Sequence, residues 1–111
     1  MGSFFFKFSN MFYIYIIYSE TADKYYTGYS EDPWSRIIQH NENDADKYTG
    51  KYDNWQLAAV FEVSEDRGEA MKLEKFIKKQ KTKKLIDKLI DPDFVLTGAL
   101  AQLVRVPHVR D

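Results

Sequence analysis

Tyr15, Tyr26, Arg36, His40 and Glu74 are spread over sixty positions of a 111-residue chain, and together they could cut a phosphodiester bond. A carboxylate can hold one hard divalent cation while water fills the remaining positions. An arginine can meet the charge that grows on a phosphate. A tyrosine or a histidine can take a proton from water. Other chemistries lack their parts. The chain has no cysteine, which excludes disulfides and thiolate-zinc sites, and only two histidines, too few for a multi-histidine metal centre. It contains neither a Gly-rich phosphate loop of the P-loop type nor a serine elbow.

Each of these residues also has an ordinary explanation when taken singly. Tyrosines are good strand residues and usually pack. Arg36 and His40 stand four apart, and such a pair usually decorates a solvated helix face. A glutamate beside an apolar stripe is usually a rim residue, and a lysine run is usually plain surface. The order in which they occur along the chain carries more than any one of them.

The elements that must position them can be read from the pattern. Phe12–Tyr18 and Lys24–Tyr29 are β-branched and aromatic runs joined by the polar turn SETAD, a β-hairpin. Side chains alternate along a strand, so Tyr13 and Tyr15 share a face while Tyr25 and Tyr26 point oppositely. Tyr15 and Tyr26 are the pair for a site; Tyr18 and Tyr25 are assigned to packing. Gly28 closes the second strand, where the missing side chain lets another backbone or a phosphate come close.

Ser30 or Asp32 can cap a helix with Pro33 in its first turn and Trp34, Ile37 and Ile38 at helical spacing. Asn41 to Asn54 reads as a polar loop, and Trp55 to Val63 as a third strand. An amphipathic helix begins near Asp66, with Ala70, Leu73, Phe76 and Ile77 as its apolar stripe and Glu74 beside it. A shorter helix with Leu85, Ile86, Leu89 and Ile90 inward ends at Pro92. The order β-β-α-β-α-α predicts an α/β (α+β) fold, a small three-stranded sheet flanked by helices around one core.

The formal net charge of −1 argues against a protein that coats nucleic acid indiscriminately. The charge is segregated, however: acids dominate from Glu20 to Asp46 and lysines from Lys72 to Lys88. The apolar run Phe12–Tyr18 is far shorter than the ~20 residues that span a bilayer, and no signal-peptide pattern precedes it. The expectation is a soluble cytoplasmic protein with no membrane partner. Residues 1–10 read as an N-terminal extension, 11–91 as the domain, and 92–111 as a C-terminal tail with an apolar centre and a basic end.

In this order the motifs resemble the GIY-YIG nuclease family. Tyr13-Ile14-Tyr15 stands for the first family motif and Tyr26-Thr27-Gly28 for the second. Arg36 falls at the family's helix arginine, His40 at a position that is His or Tyr in many members, and EAMKLEKFIKK resembles the metal-binding helix. The likeness covers roughly residues 11–90. It is closest to the small standalone members related to the nuclease domain of the bacterial excision-repair C subunit. Tyr13 replaces the first glycine, and the polar residue, often Asn, that follows the family's metal helix has no counterpart near Lys81–Ile86.

The resemblance implies one-metal hydrolysis of DNA, with repair or recombination as its setting and a structured or damaged strand as the substrate. Glu74 would hold one Mg²⁺ or Mn²⁺, Arg36 the scissile phosphate, and Tyr15 or His40 would be the base, with Tyr26 in the same network. Gly28, Lys72, Lys75, Lys78 and Lys79 would contact nucleic acid. Two other classes stay open: a binding module on the same fold that has lost cleavage, and a protein-interaction domain.

Overall fold

The computed structural model describes residues 10–42, 52, 54–80, 82–107 and 109. Nearly all of the expected N-terminal extension and most of the polar loop before Asn54 lie outside the described residues.

Strand β1 (Phe12–Ser19) is the spine. It lies between β2 (Lys24–Ser30) and β3 (Trp55–Ser64), antiparallel to both. Helix α1 (Pro33–Asn41) follows β2, and α2 (Arg67–Gln80) and α3 (Lys83–Ile90) follow β3. Both faces of β1 are packed into core, which is why FYIYIIYS carries hydrophobic residues at consecutive rather than alternate positions. Ile14 and Ile16 point to one face and join Phe61, Leu73, Ile77 and Leu89; Tyr15 and Ile17 point to the other and join Trp55 and Val60.

The hairpin register pairs Tyr18 with Tyr25, Ile17 with Tyr26 and Tyr15 with Gly28. Its turn is closed by Asp23, which adopts φ 55, a left-handed conformation that Asp tolerates. The Asp23 amide donates to the Ser19 carbonyl at 2.7 Å and its carboxylate accepts from the Tyr18 hydroxyl at 2.8 Å. The β1–β3 pairing shifts register between Ile16 and Ile17, so Ala58 is passed over between Leu57 and Ala59.

Helix α1 starts at an Asp32 cap, whose carboxylate accepts from the Ser35 amide at 3.1 Å, with Pro33 in the first turn. Its far end is fastened by Asn41. The Asn41 amide donates to the Trp55 carbonyl at 3.0 Å and accepts from the Trp55 amide at 2.6 Å, the pairing a strand neighbour would make. We expect Asn41→Ala to cost about 2 kcal/mol, two hydrogen bonds at ~1 kcal/mol each. It should appear as a lower denaturation midpoint at unchanged slope.

Among the described residues the sheet has four strands, in the order β2-β1-β3-β4, and not the expected three. Strand β4 (Val104–Arg105) pairs with Phe61 and Glu62 of β3, and the Val106 amide donates to the Val60 carbonyl at 2.8 Å. Two residues are too few to show an alternating pattern. Ahead of it, the short 3₁₀ turn Gly98–Leu100 delivers Leu100 and Leu103 to the core. The Arg105 guanidinium lies over the Phe61 ring at 4.7 Å and donates to the Leu89 carbonyl at 2.7 Å, tying β4 to the end of α3.

The expected apolar stripes are narrower than drawn. On α2, Ala70, Leu73 and Ile77 are buried while Phe76 is 38% exposed; on α1, Trp34 and Ile38 are 45% and 57% exposed. A short helix crossing a small sheet buries one row of side chains and leaves the flanking rows in water. Among the described residues no helix is long and apolar enough to cross a membrane.

Candidate active site

Tyr15 stands on the α1-covered face of β1, and its ring reaches across the neighbouring strand. It can do so because its cross-strand partner is Gly28: a Cβ there would lie 2.6 Å from the Tyr15 Oη and 2.7 Å from its Cζ. The room expected over Gly28 for a backbone or a phosphate is thus taken by the phenol. Glycine acts here as the seat that lets Tyr15 lie flat and present its hydroxyl at the sheet edge.

His40 comes down from the last turn of α1 and is fully buried. Its Nε2 lies 2.8 Å from the Tyr15 Oη, and its ring centre 5.3 Å from that of Tyr26. One turn earlier on the same helix, Arg36 is half-buried and faces outward, with one guanidinium nitrogen donating to the Gln39 side chain at 2.6 Å. The two residues share a side of the helix, as their spacing predicts, but at different depths.

Glu74 approaches from α2. Its side chain is only 17% exposed, and Lys78, one turn on, places its ammonium 3.4 Å from the carboxylate. The same ammonium lies 4.7 Å from the centre of the Tyr26 ring. Tyr15, Tyr26, Gly28, Arg36 and Glu74 line one cleft of about 490 Å³ at the β2 edge of the sheet. His40 is not in its wall and touches it through Tyr15.

Two charged groups at this cleft were not singled out from the sequence. Arg67 opens α2 and stacks over the rings of Phe12, at 4.9 Å, and Tyr29, at 5.9 Å; Glu31 faces it at 3.9 Å. The signal for Arg67 was present, since it precedes Glu74 by seven residues, two helical turns on one face. Glu31 has no such signal, because it sits in the connection between β2 and α1. Lys72, Lys75 and Lys79 are exposed and do not line the cleft. At 3.6 residues per turn they stand roughly 100° or more around the helix from Glu74.

Tyr18, the other tyrosine on this hairpin with a well-placed hydroxyl, is no rival base. Its hydrogen bond to Asp23 holds the phenol above its ordinary value of 10.0, and it stacks on Tyr25 on the opposite face.

Among the described residues no three His, Asp or Glu side chains gather into a multi-ligand metal centre. Of the two carboxylates among the described residues of the cleft wall, Glu74 is the more shielded, and the cleft also holds Arg36 and Arg67. That donor set fits a hard cation that keeps most of its water, as Mg²⁺ does, and does not fit a closed structural site.

A family model for the GIY-YIG catalytic domain matches residues 11–87, well over half of the chain. The chain belongs to the GIY-YIG family. GIY-YIG proteins have a nuclease-type fold and are in general divalent-metal-dependent endonucleases acting on DNA. No curated protein and no solved structure matches the chain significantly. The GIY-YIG match stops before the end of α3, yet β4 and the leucines before it complete the same sheet and core.

Proposed function

We propose that this GIY-YIG protein hydrolyses phosphodiester bonds in DNA with one divalent cation, using Tyr15, His40, Arg36 and Glu74. The observation that carries the reading is the hydrogen bond between a cleft-lining phenol and a buried imidazole, set beside a shielded carboxylate and an arginine.

Glu74 would hold the cation, which when bound supplies positive charge beside the phosphate. Arg36 keeps guanidinium N–H groups beyond the one given to Gln39, and these orient the phosphate. Tyr15 takes the proton of the attacking water, because it lines the cleft and His40 does not. A neutral His40 accepts the Tyr15 proton at Nε2 and so readies the phenol for that task. As water adds in line, the bond from phosphorus to the leaving oxygen breaks on the opposite side. Tyr26 flanks the imidazole and holds its ring in place.

The test is cleavage of single-stranded, duplex and branched DNA in Mg²⁺ and then Mn²⁺. The expected result is metal-dependent cutting that falls by roughly 100-fold or more in Tyr15→Phe, the usual contribution of a general base. Salt-dependent binding with no cutting of any substrate by the wild type would leave a binding module on a nuclease fold.

Binding also separates the lysines. Each phosphate contact adds about −0.9 to the slope of log affinity against log salt on duplex DNA. Lys78 lies at the cleft margin, so Lys78→Met should reduce that slope by about one contact, whereas Lys72→Met should leave it unchanged.

A further inference from the structure

We propose that a second groove, next to the cleft, is a nucleotide subsite: it takes the unpaired nucleotide adjoining the phosphate held in the cleft. The proposal rests on the nucleic-acid reading of the cleft.

The groove has a volume of about 370 Å³ and runs between the outer edge of β2, the end of α2 and the start of α3. Tyr26 lines both depressions, so the two adjoin at its side chain. Lys78, with its ammonium over the Tyr26 ring, stands on the ridge between them. A strand whose phosphate lies by Glu74 and Arg36 must continue in both directions, and the adjoining groove lies within reach of one of them.

The chemistry of the walls names the occupant. Tyr25, Tyr26, Ile77 and Ile86 form aromatic and aliphatic surface, and the charged groups beside it are Lys78 and Lys83. No carboxylate is among the described residues that line the groove, whereas the cleft has Glu31 and Glu74. Apolar walls with ammonium groups at the rim suit a base and its phosphate. Aromatic stacking holds a base without regard to its identity, and lysines meet the backbone. A base stacked inside a duplex cannot reach a side wall of this size; it has to leave the helix first. The groove therefore selects strands with an unpaired nucleotide beside the bound phosphate.

The experiment measures binding without divalent metal, so that it does not depend on cleavage. The probes are a single-stranded oligonucleotide carrying 2-aminopurine, the same strand with an abasic site at that position, and its duplex. Lys83→Glu is compared with Lys84→Glu, the same charge change one residue away at an exposed position outside the groove. We expect 2-aminopurine fluorescence to change on binding and the abasic strand and the duplex each to bind about tenfold more weakly. Lys83→Glu should lose about tenfold, and Lys84→Glu less than threefold. Equal binding of abasic and intact strands, or equal losses in the two variants, would overturn the subsite. Cutting DNA while ignoring the unpaired base would refute the inference alone; holding the base while cutting nothing would refute the nuclease reading alone.

Discussion

Glu74→Gln should give a folded protein that still binds DNA and does not cut it. The substitution keeps the size and shape of a side chain that is largely shielded in the cleft wall, and removes its charge. Stability should hardly move. The ion pair lost is a helix i,i+4 contact with a partly exposed lysine, and such pairs are worth about 0.3–0.5 kcal/mol. Activity should collapse. Groups that merely orient a metal ligand commonly cost 10–100-fold when removed, so loss of the carboxylate itself should exceed about 100-fold. The check combines three readings on one preparation: cleavage rate, Mn²⁺ binding by calorimetry, and denaturation midpoint. A variant that unfolds early, or one that cuts within threefold of wild type, would remove Glu74 from the role proposed.

The second large effect comes from a single methyl group. Gly28→Ala places a Cβ 2.6 Å from the Tyr15 hydroxyl and 2.7 Å from its ring carbon. A floppy side chain would move aside at little cost. Tyr15 cannot, because it is 1% exposed and bonded to a buried His40. Overpacking of this kind costs about 1–3 kcal/mol. More tellingly, it drives the phenol off its seat, so activity should fall at least as far as in Tyr15→Phe although no polar group has been removed. The double variant Gly28→Ala/Tyr15→Ala separates the two effects: Tyr15→Ala alone opens a cavity at a cost of about 3–5 kcal/mol, and because it also removes the clash the double variant should lose less stability than the two single changes summed, with activity still absent. If Gly28→Ala were as stable and active as wild type, the ring would have room that the geometry denies it.

The hairpin and its tyrosines were legible because strand periodicity is strict: once β1 and β2 are aligned, Tyr15 and Tyr26 fall on one face and Tyr25 on the other. Glu74, Arg36 and His40 each had an ordinary explanation when taken alone, and it was the order of the motifs, through their resemblance to the GIY-YIG family, that singled them out; in the fold Arg36 and Glu74 line one cleft, with His40 behind Tyr15. What spacing does not carry is depth. The ordinary explanation of the Arg36–His40 spacing, a solvated face, fails for the histidine, which is wholly buried where Asn41 ties the end of α1 to β3. The lysine run showed a basic segment without its rotation on the helix, so only Lys78 of the four borders the cleft. Arg67 and Glu31 reach the cleft through tertiary packing of α2 against the end of β2. Strand β4 is held by its place beside β3 and by the Arg105 contact to α3, and its own two residues announce nothing.

The pairing of Lys78 with Glu74 would make loading of the proposed cation an exchange of ions. If Glu74 takes a divalent cation, it must first give up the ammonium one turn along its own helix. That ammonium then has the face of Tyr26 to rest against, still at the margin where a phosphate would lie. The loaded cleft gains the full charge of the metal and also a lysine no longer occupied by a carboxylate. Metal and strand should therefore bind with positive coupling, each tightening the other by the same factor. Without a cation the Glu74 carboxylate has Lys78 as its counterion, and binding of a cation would turn both positive charges toward an incoming phosphate.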